Sequence, residues 1–134
     1  MSPAPRPPRL CLPGFTLIEL IIVMAILALL ISIAVPRYFA HIERAKEATL
    51  KQDLNVMRDA IDKFYGDKGR YPDALDELAE KRYLRNVPVD PITESSTTWT
   101  VIAPPAESDA KGSVYDVKSG AQGNASDGTA FADW

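Results

Sequence analysis

Residues 14 to 19 read Gly-Phe-Thr-Leu-Ile-Glu, and the next twelve, Leu20 to Ile31, are all apolar. A charged side chain at the centre of a bilayer costs upward of about 2.5–3.5 kcal/mol. The carboxylate of Glu19 therefore calls for a partner, and nothing beside it in sequence supplies one. Enzyme chemistry finds no comparable foothold. The chain has no Gly-rich phosphate loop and no His pair, and its one cysteine, Cys11, lies ahead of Gly14. A Ser-His-Asp arrangement would have to recruit His41, beside the apolar run and far from the candidate strands. Alone on a helix, His41 reads as a solvated or packing residue.

The element that positions Glu19 is the apolar run itself. Phe15 to Val35 is 21 residues, interrupted only by Thr16, Glu19 and Ser32. As a helix this spans roughly 31 Å, the thickness of a hydrocarbon core. Arg6 and Arg9 precede it, which places the N-terminus in the cytoplasm by the positive-inside rule. Arg37, Arg44 and Lys46 follow it, mixed with Glu43 and Glu47. An ordinary secretory signal is the rival, with Ser32-Ile33-Ala34 as a small-x-small cleavage site. The charge of Glu19 and a helical pattern continuing past Ala34 count against it. A lipoprotein reading of Cys11 lacks the small residues before it, which are Pro8-Arg9-Leu10. Pro36 has no N–H for the carbonyl of Ser32, so a kink is expected over 32–36.

Beyond Pro36 the helix is expected to run to about Tyr65. Leu50, Leu54, Met57, Ile61 and Phe64 recur at spacings of 4, 3, 4 and 3, one narrow face. Glu47–Lys51 and Asp59–Lys63 read as i,i+4 pairs on the other face, and Gly66 and Gly69 end the helix. From Phe15 to Tyr65 such a helix would be about 75 Å long. A short helix follows over about Asp73 to Arg82, with Asp73 as N-cap and Leu75 and Leu78 facing inward. Val87-Pro88-Val89-Asp90-Pro91 reads as a rigid extended connector. Residues 97–102 and 113–117 read as two antiparallel strands, with Trp99, Val101, Val114 or Tyr115 packing on the helix. The fold class is α+β: a long N-terminal helix packed against a small antiparallel sheet.

Gly14, Phe15, Glu19 and Pro36 together resemble the processing site of the type IV pilin and type II secretion pseudopilin families. The leader of those families is short, basic and ends in glycine. Their mature chain begins with phenylalanine, carries glutamate as its fifth residue, and often has a proline where the helix leaves the membrane. The resemblance implies a leader over 1–14, a membrane helix over 15–36 and a periplasmic pilin-like domain over 37–134. It implies a prepilin peptidase that cuts after Gly14 and N-methylates Phe15, and a homo-oligomeric helical filament in which Glu19 meets the Phe15 ammonium of a neighbour. Removing the leader would take Arg6, Arg9 and Cys11 with it, leaving 13 basic and 18 acidic side chains. That acidic balance argues against nucleic-acid binding, and the chain would have no disulfide to staple a domain with only about 65 residues outside the helix.

Further residues resemble the G-type major pseudopilins: Gly-Arg-Tyr-Pro at 69–72, Tyr83-Leu84, Pro-x-Asp-Pro at 88–91, then Asp116, Ser119, Gly120, Asp127 and Gly128. In that family the C-terminal loop wraps calcium. Residues 119–128 offer Asn124 and Asp127 as side-chain ligands and the Ser119 carbonyl as a third. Ala121-Gln122 departs from the family, which often has an acid there. The reading is a pseudopilus subunit of type II secretion, anchored in the inner membrane. Its partners would be the prepilin peptidase, minor pseudopilins, and an assembly platform with its ATPase. The alternatives are a type IV pilin for adhesion or motility, and a signal-peptide-processed periplasmic binding module.

Overall fold

The computed structural model describes residues 1–6 and 8–134. They form two compact units, Met1–Tyr38 and Phe39–Trp134. Helix α1 is Leu17–Lys68. It starts two residues later than expected and ends three residues beyond Tyr65. Gly66 does not stop it. The helix ends at Gly69, whose φ of +68° is left-handed and whose N–H donates to the carbonyl of Tyr65 at 2.8 Å. Helical backbone continues through Pro36, and the Ser32 hydroxyl donates to the Leu29 carbonyl at 2.7 Å.

In the first unit the side chains from Phe15 to Val35 are all exposed. This part of α1 is long and apolar enough to cross a membrane, and none of it is buried in the chain's own structure. Soluble helices do not display such a surface on every side.

The second unit is built on the expected apolar face. Leu50, Leu54, Met57, Ile61 and Phe64 are all buried, joined by Ala60. Helix α2, Leu75–Glu80, lays Leu78 against them. It is shorter than expected, and Asp73 is not its cap. Ala74 takes the N-cap position without a side-chain bond, and the Asp73 N–H instead donates to Glu77 Oε2 at 2.8 Å. The carboxylate reaches back from the first turn to a backbone donor one residue ahead of the N-cap.

Strands β1, Thr100–Ile102, and β2, Asp116–Lys118, pair antiparallel with Val101 opposite Val117. Both are shorter than expected. Trp99 and Val114 enter the core, with Val117, Ala121, Ala125 and Phe131. Val101 and Tyr115 do not, being 42% and 44% exposed. Trp99 and Val114 lie just outside the ladder. Trp99 Nε1 donates to the Pro88 carbonyl at 2.8 Å, so the indole is buried with its polar atom satisfied. Gly120 packs where a Cβ would collide with the Thr98 carbonyl, so its place requires glycine.

Candidate functional site

The N-terminal site is built from the start of α1. The Thr16 carbonyl accepts the Leu20 N–H, and Thr16 Oγ1 accepts the Glu19 N–H, both at 3.2 Å. Thr16 is therefore the N-cap, and Gly14 and Phe15 lie outside the helix. Phe15 is 87% exposed. A Cβ added at Gly14 would meet nothing within 4 Å, so any demand for glycine there comes from outside the chain. Pro13, Gly14, Phe15 and Glu19 line one small concavity. Among the described residues the Glu19 carboxylate has no ion-pair partner. The geometry can present an open peptide bond followed by an uncompensated carboxylate. Pro36 lies inside the same helix, 17 positions after Glu19.

The C-terminal loop is the second site, and its three expected ligand residues differ in burial. Ser119 is buried, its hydroxyl donating to Asp90 Oδ2 at 2.5 Å while its oxygen accepts the Ala121 N–H. Asn124 and Asp127 lie on the exposed rim. Asp127 Oδ1 accepts from both the N–H and the hydroxyl of Thr129, at 2.9 and 2.6 Å. The Thr129 bonds hold its carboxyl below the usual range. The loop closes on itself. Ala125 N–H donates to the Thr129 carbonyl, Gly128 N–H to Ala125, and Phe131 N–H to Gly123. Among the described residues no three Asp, Glu, His or Cys side chains converge. The donors are oxygens only, with one carboxylate, which suits a hard cation in kind. A cation there would have to share Asp127 with Thr129.

Three residues that hold this region were not singled out as site residues by sequence reasoning. Asp90, expected as part of an extended connector and of the Pro-x-Asp-Pro resemblance, is fully buried. Its Oδ1 accepts the N–H groups of Ile92 at 2.8 Å and Thr93 at 3.3 Å, and its Oδ2 accepts from Ser119. The visible signal was Asp-Pro-x-Thr, a combination that favours an Asx turn. Arg58 donates from Nε to Asp116 at 2.8 Å and from Nη2 to the carbonyls of Val117 and Trp134 at 3.0 and 2.9 Å. Glu47, expected to pair with Lys51, instead accepts the N–H and hydroxyl of Ser126 at 2.7 and 2.6 Å. Lys51 lies over the Trp134 ring, 4.3 Å from its centroid. The expected Asp59–Lys63 pair is present at 3.9 Å. Both of its partners are exposed and contribute little.

A helix with a membrane-length apolar start, a Gly-Phe junction ahead of it and a small sheet packed on its far half define a pilin-like subunit. Residues 13–35 match the prokaryotic N-terminal methylation motif. The chain is 31% identical over 94 residues to type II secretion system core protein G of Klebsiella pneumoniae, covering 58% of this chain and 67% of that one. The corresponding protein of Pseudomonas aeruginosa is 32% identical, covering 58% and 66%. The type IV major pilin protein PilA of Myxococcus xanthus is 40% identical over 65 residues, covering 48% of this chain and only 30% of the pilin. No solved structure matches significantly. The chain belongs to the type IV pilin and pseudopilin family. Its class is a structural subunit rather than an enzyme, and the methylation motif with one apolar N-terminal helix fits a single-pass inner-membrane protein.

Proposed function

We propose that the chain is the major subunit of a type II secretion pseudopilus. The reading is carried by the reach of the similarity. The matches to core protein G cover 58% of the chain, more than everything up to the end of α1, so they reach past that helix into the rest of the domain. The Myxococcus pilin match covers 48%. The higher identity of that shorter match favours the second reading, a type IV pilin.

In either case a prepilin peptidase cuts between Gly14 and Phe15 on the cytoplasmic side and methylates the new amine. Residues 15–36 anchor the subunit, and residues 37–134 lie in the periplasm. An ATP-driven platform lifts subunits into the filament, with minor pseudopilins as further partners. That the Glu19 carboxylate has no ion-pair partner among the described residues supports pairing with the Phe15 ammonium of a neighbour, since two charges away from water offset each other's desolvation. The oxygen-only donor set at Ser119, Asn124 and Asp127 supports a calcium site. Deleting the gene and imaging fibres in wild-type cells test the reading. Loss of protein secretion with no fibre beyond the outer membrane is expected. Surface fibres with intact secretion would transfer the assignment to a type IV pilin.

A further inference from the structure

We propose that Thr16 is a positioning residue for cleavage at Gly14–Phe15: its hydroxyl fixes where α1 begins and so keeps the bond to be cut out of the helix. The inference rests on the processing reading above. In the hydrolysis, the oxygen of water joins the Gly14 carbonyl carbon and the bond to Phe15 nitrogen breaks. Gly14 leaves as a carboxylate and Phe15 as an ammonium, which takes both protons of the water.

An enzyme reaches a peptide bond most readily in extended chain, whose N–H and C=O are open to it. Helical chain has the acceptor of each such bond engaged by the N–H four residues on. Here the boundary is set by two bonds on one residue. The Thr16 carbonyl accepts the Leu20 N–H and Thr16 Oγ1 accepts the Glu19 N–H. The spacing Thr-x-x-Glu is that of a capping box. The result is an exposed Phe15 and an uncrowded Gly14, both outside the helix.

Without the hydroxyl, the Glu19 N–H needs another acceptor, and at an apolar, water-poor boundary an open N–H is costly. The acceptors within reach are those of one more helical turn. Phe15 C=O would take Glu19 N–H, and Gly14 C=O, the group attacked, would take Ile18 N–H. Pro13 does not oppose that extension, because it would lie ahead of the new N-cap, where no helical hydrogen bond calls for its missing N–H. Removing the cap therefore draws the scissile bond into the helix.

The test uses the full-length chain in membranes with a prepilin peptidase, following loss of the leader by mass. Thr16→Val keeps the shape and removes the acceptor. Its initial cleavage rate should fall about fivefold, the equivalent of a lost N-cap. Thr16→Ser and Thr16→Asn, which restore an acceptor of different shape, should return to within about twofold of the unmutated rate. Amide exchange at Ile18 should slow in Thr16→Val alone. Equal cleavage of Thr16→Val and the unmutated chain would overturn the proposal. So would equal slowing of all three variants, which would mean that the peptidase reads threonine directly. If the unmutated chain is not cut after Gly14, the processing reading itself falls and takes this inference with it.

Discussion

Asp90 is fully buried and accepts three hydrogen bonds, so its charge is held by the turn at 90–93 and by Ser119 from the C-terminal loop. Ser119→Ala removes one acceptor's partner and leaves Oδ2 open in the interior. In the isolated unit 39–134, chemical denaturation should show a loss of about 1–3 kcal/mol. At Asp53, burial and next the charge of Asp90 raise the carboxyl above the usual range. A raised acid costs stability while ionised, and the cost is relieved as pH falls through the folded pKa. Asp53→Asn should therefore raise Tm at neutral pH, by about 2 °C. The gain should vanish below the ordinary carboxylate range, and a gain that persisted there would assign it to packing instead.

At the level of elements, α2 is a six-residue helix, too short to be stable alone. Its position is fixed from both sides. Leu78 enters the core, while Glu77 accepts Arg70 Nη2 at 2.6 Å and the Asp73 N–H at 2.8 Å. These bonds, the Arg70 one first, hold the Glu77 carboxyl below its ordinary range. A lowered acid stabilises the fold above the unfolded value and loses that contribution as pH falls through the folded one. Glu77→Gln should thus lower Tm at pH 7, and the two melting curves should converge toward pH 3. A difference unchanged across that range would mean that the charge contributes nothing. Arg70 lies in the Gly-Arg-Tyr-Pro stretch that follows α1 and Asp73 directly after it, so this one side chain fastens the turn as well as the helix.

Over the whole molecule, the apolar surface of residues 15–35 is exposed, and among the described residues the Glu19 carboxylate has no ion-pair partner. Glu19→Ala should insert in the membrane normally and fail to assemble. Pelleted filaments at wild-type yield would end the charge-pair account. The domain should respond to calcium if the loop at 119–128 binds it. Metal that binds only the folded state adds about 2.7 kcal/mol at a hundredfold excess over Kd. Tm of the unit 39–134 should rise in millimolar calcium and fall in chelator, with magnesium doing less. Asp127→Ala should remove most of the response and Asn124→Ala less. Identical melts in calcium and chelator would leave the loop as a turn closed by Thr129 and Glu47.

The membrane-length helix, its buried face and the Gly-Phe junction were legible in the chain because each is local. A run of one polarity, a 3–4 spacing and a hexapeptide carry their meaning wherever the rest of the protein lies. Even the Thr16 cap is a four-residue pattern. Partners distant in sequence were not legible. Nothing near Glu47 says that Ser126 outcompetes Lys51 for its carboxylate, since an exposed i,i+4 pair contributes only a few tenths of a kcal/mol and yields to two good hydrogen bonds. Arg58 likewise sits among ordinary helix residues until folding brings Asp116 and Trp134 beside it. The ends of β1 and β2, and the burial of Trp99 and Val114 in place of Val101 and Tyr115, depend on how the sheet meets α1. Strand alternation by itself would put Trp99 and Val101 on one face, so the pattern alone cannot say that packing covers the first and leaves the second exposed.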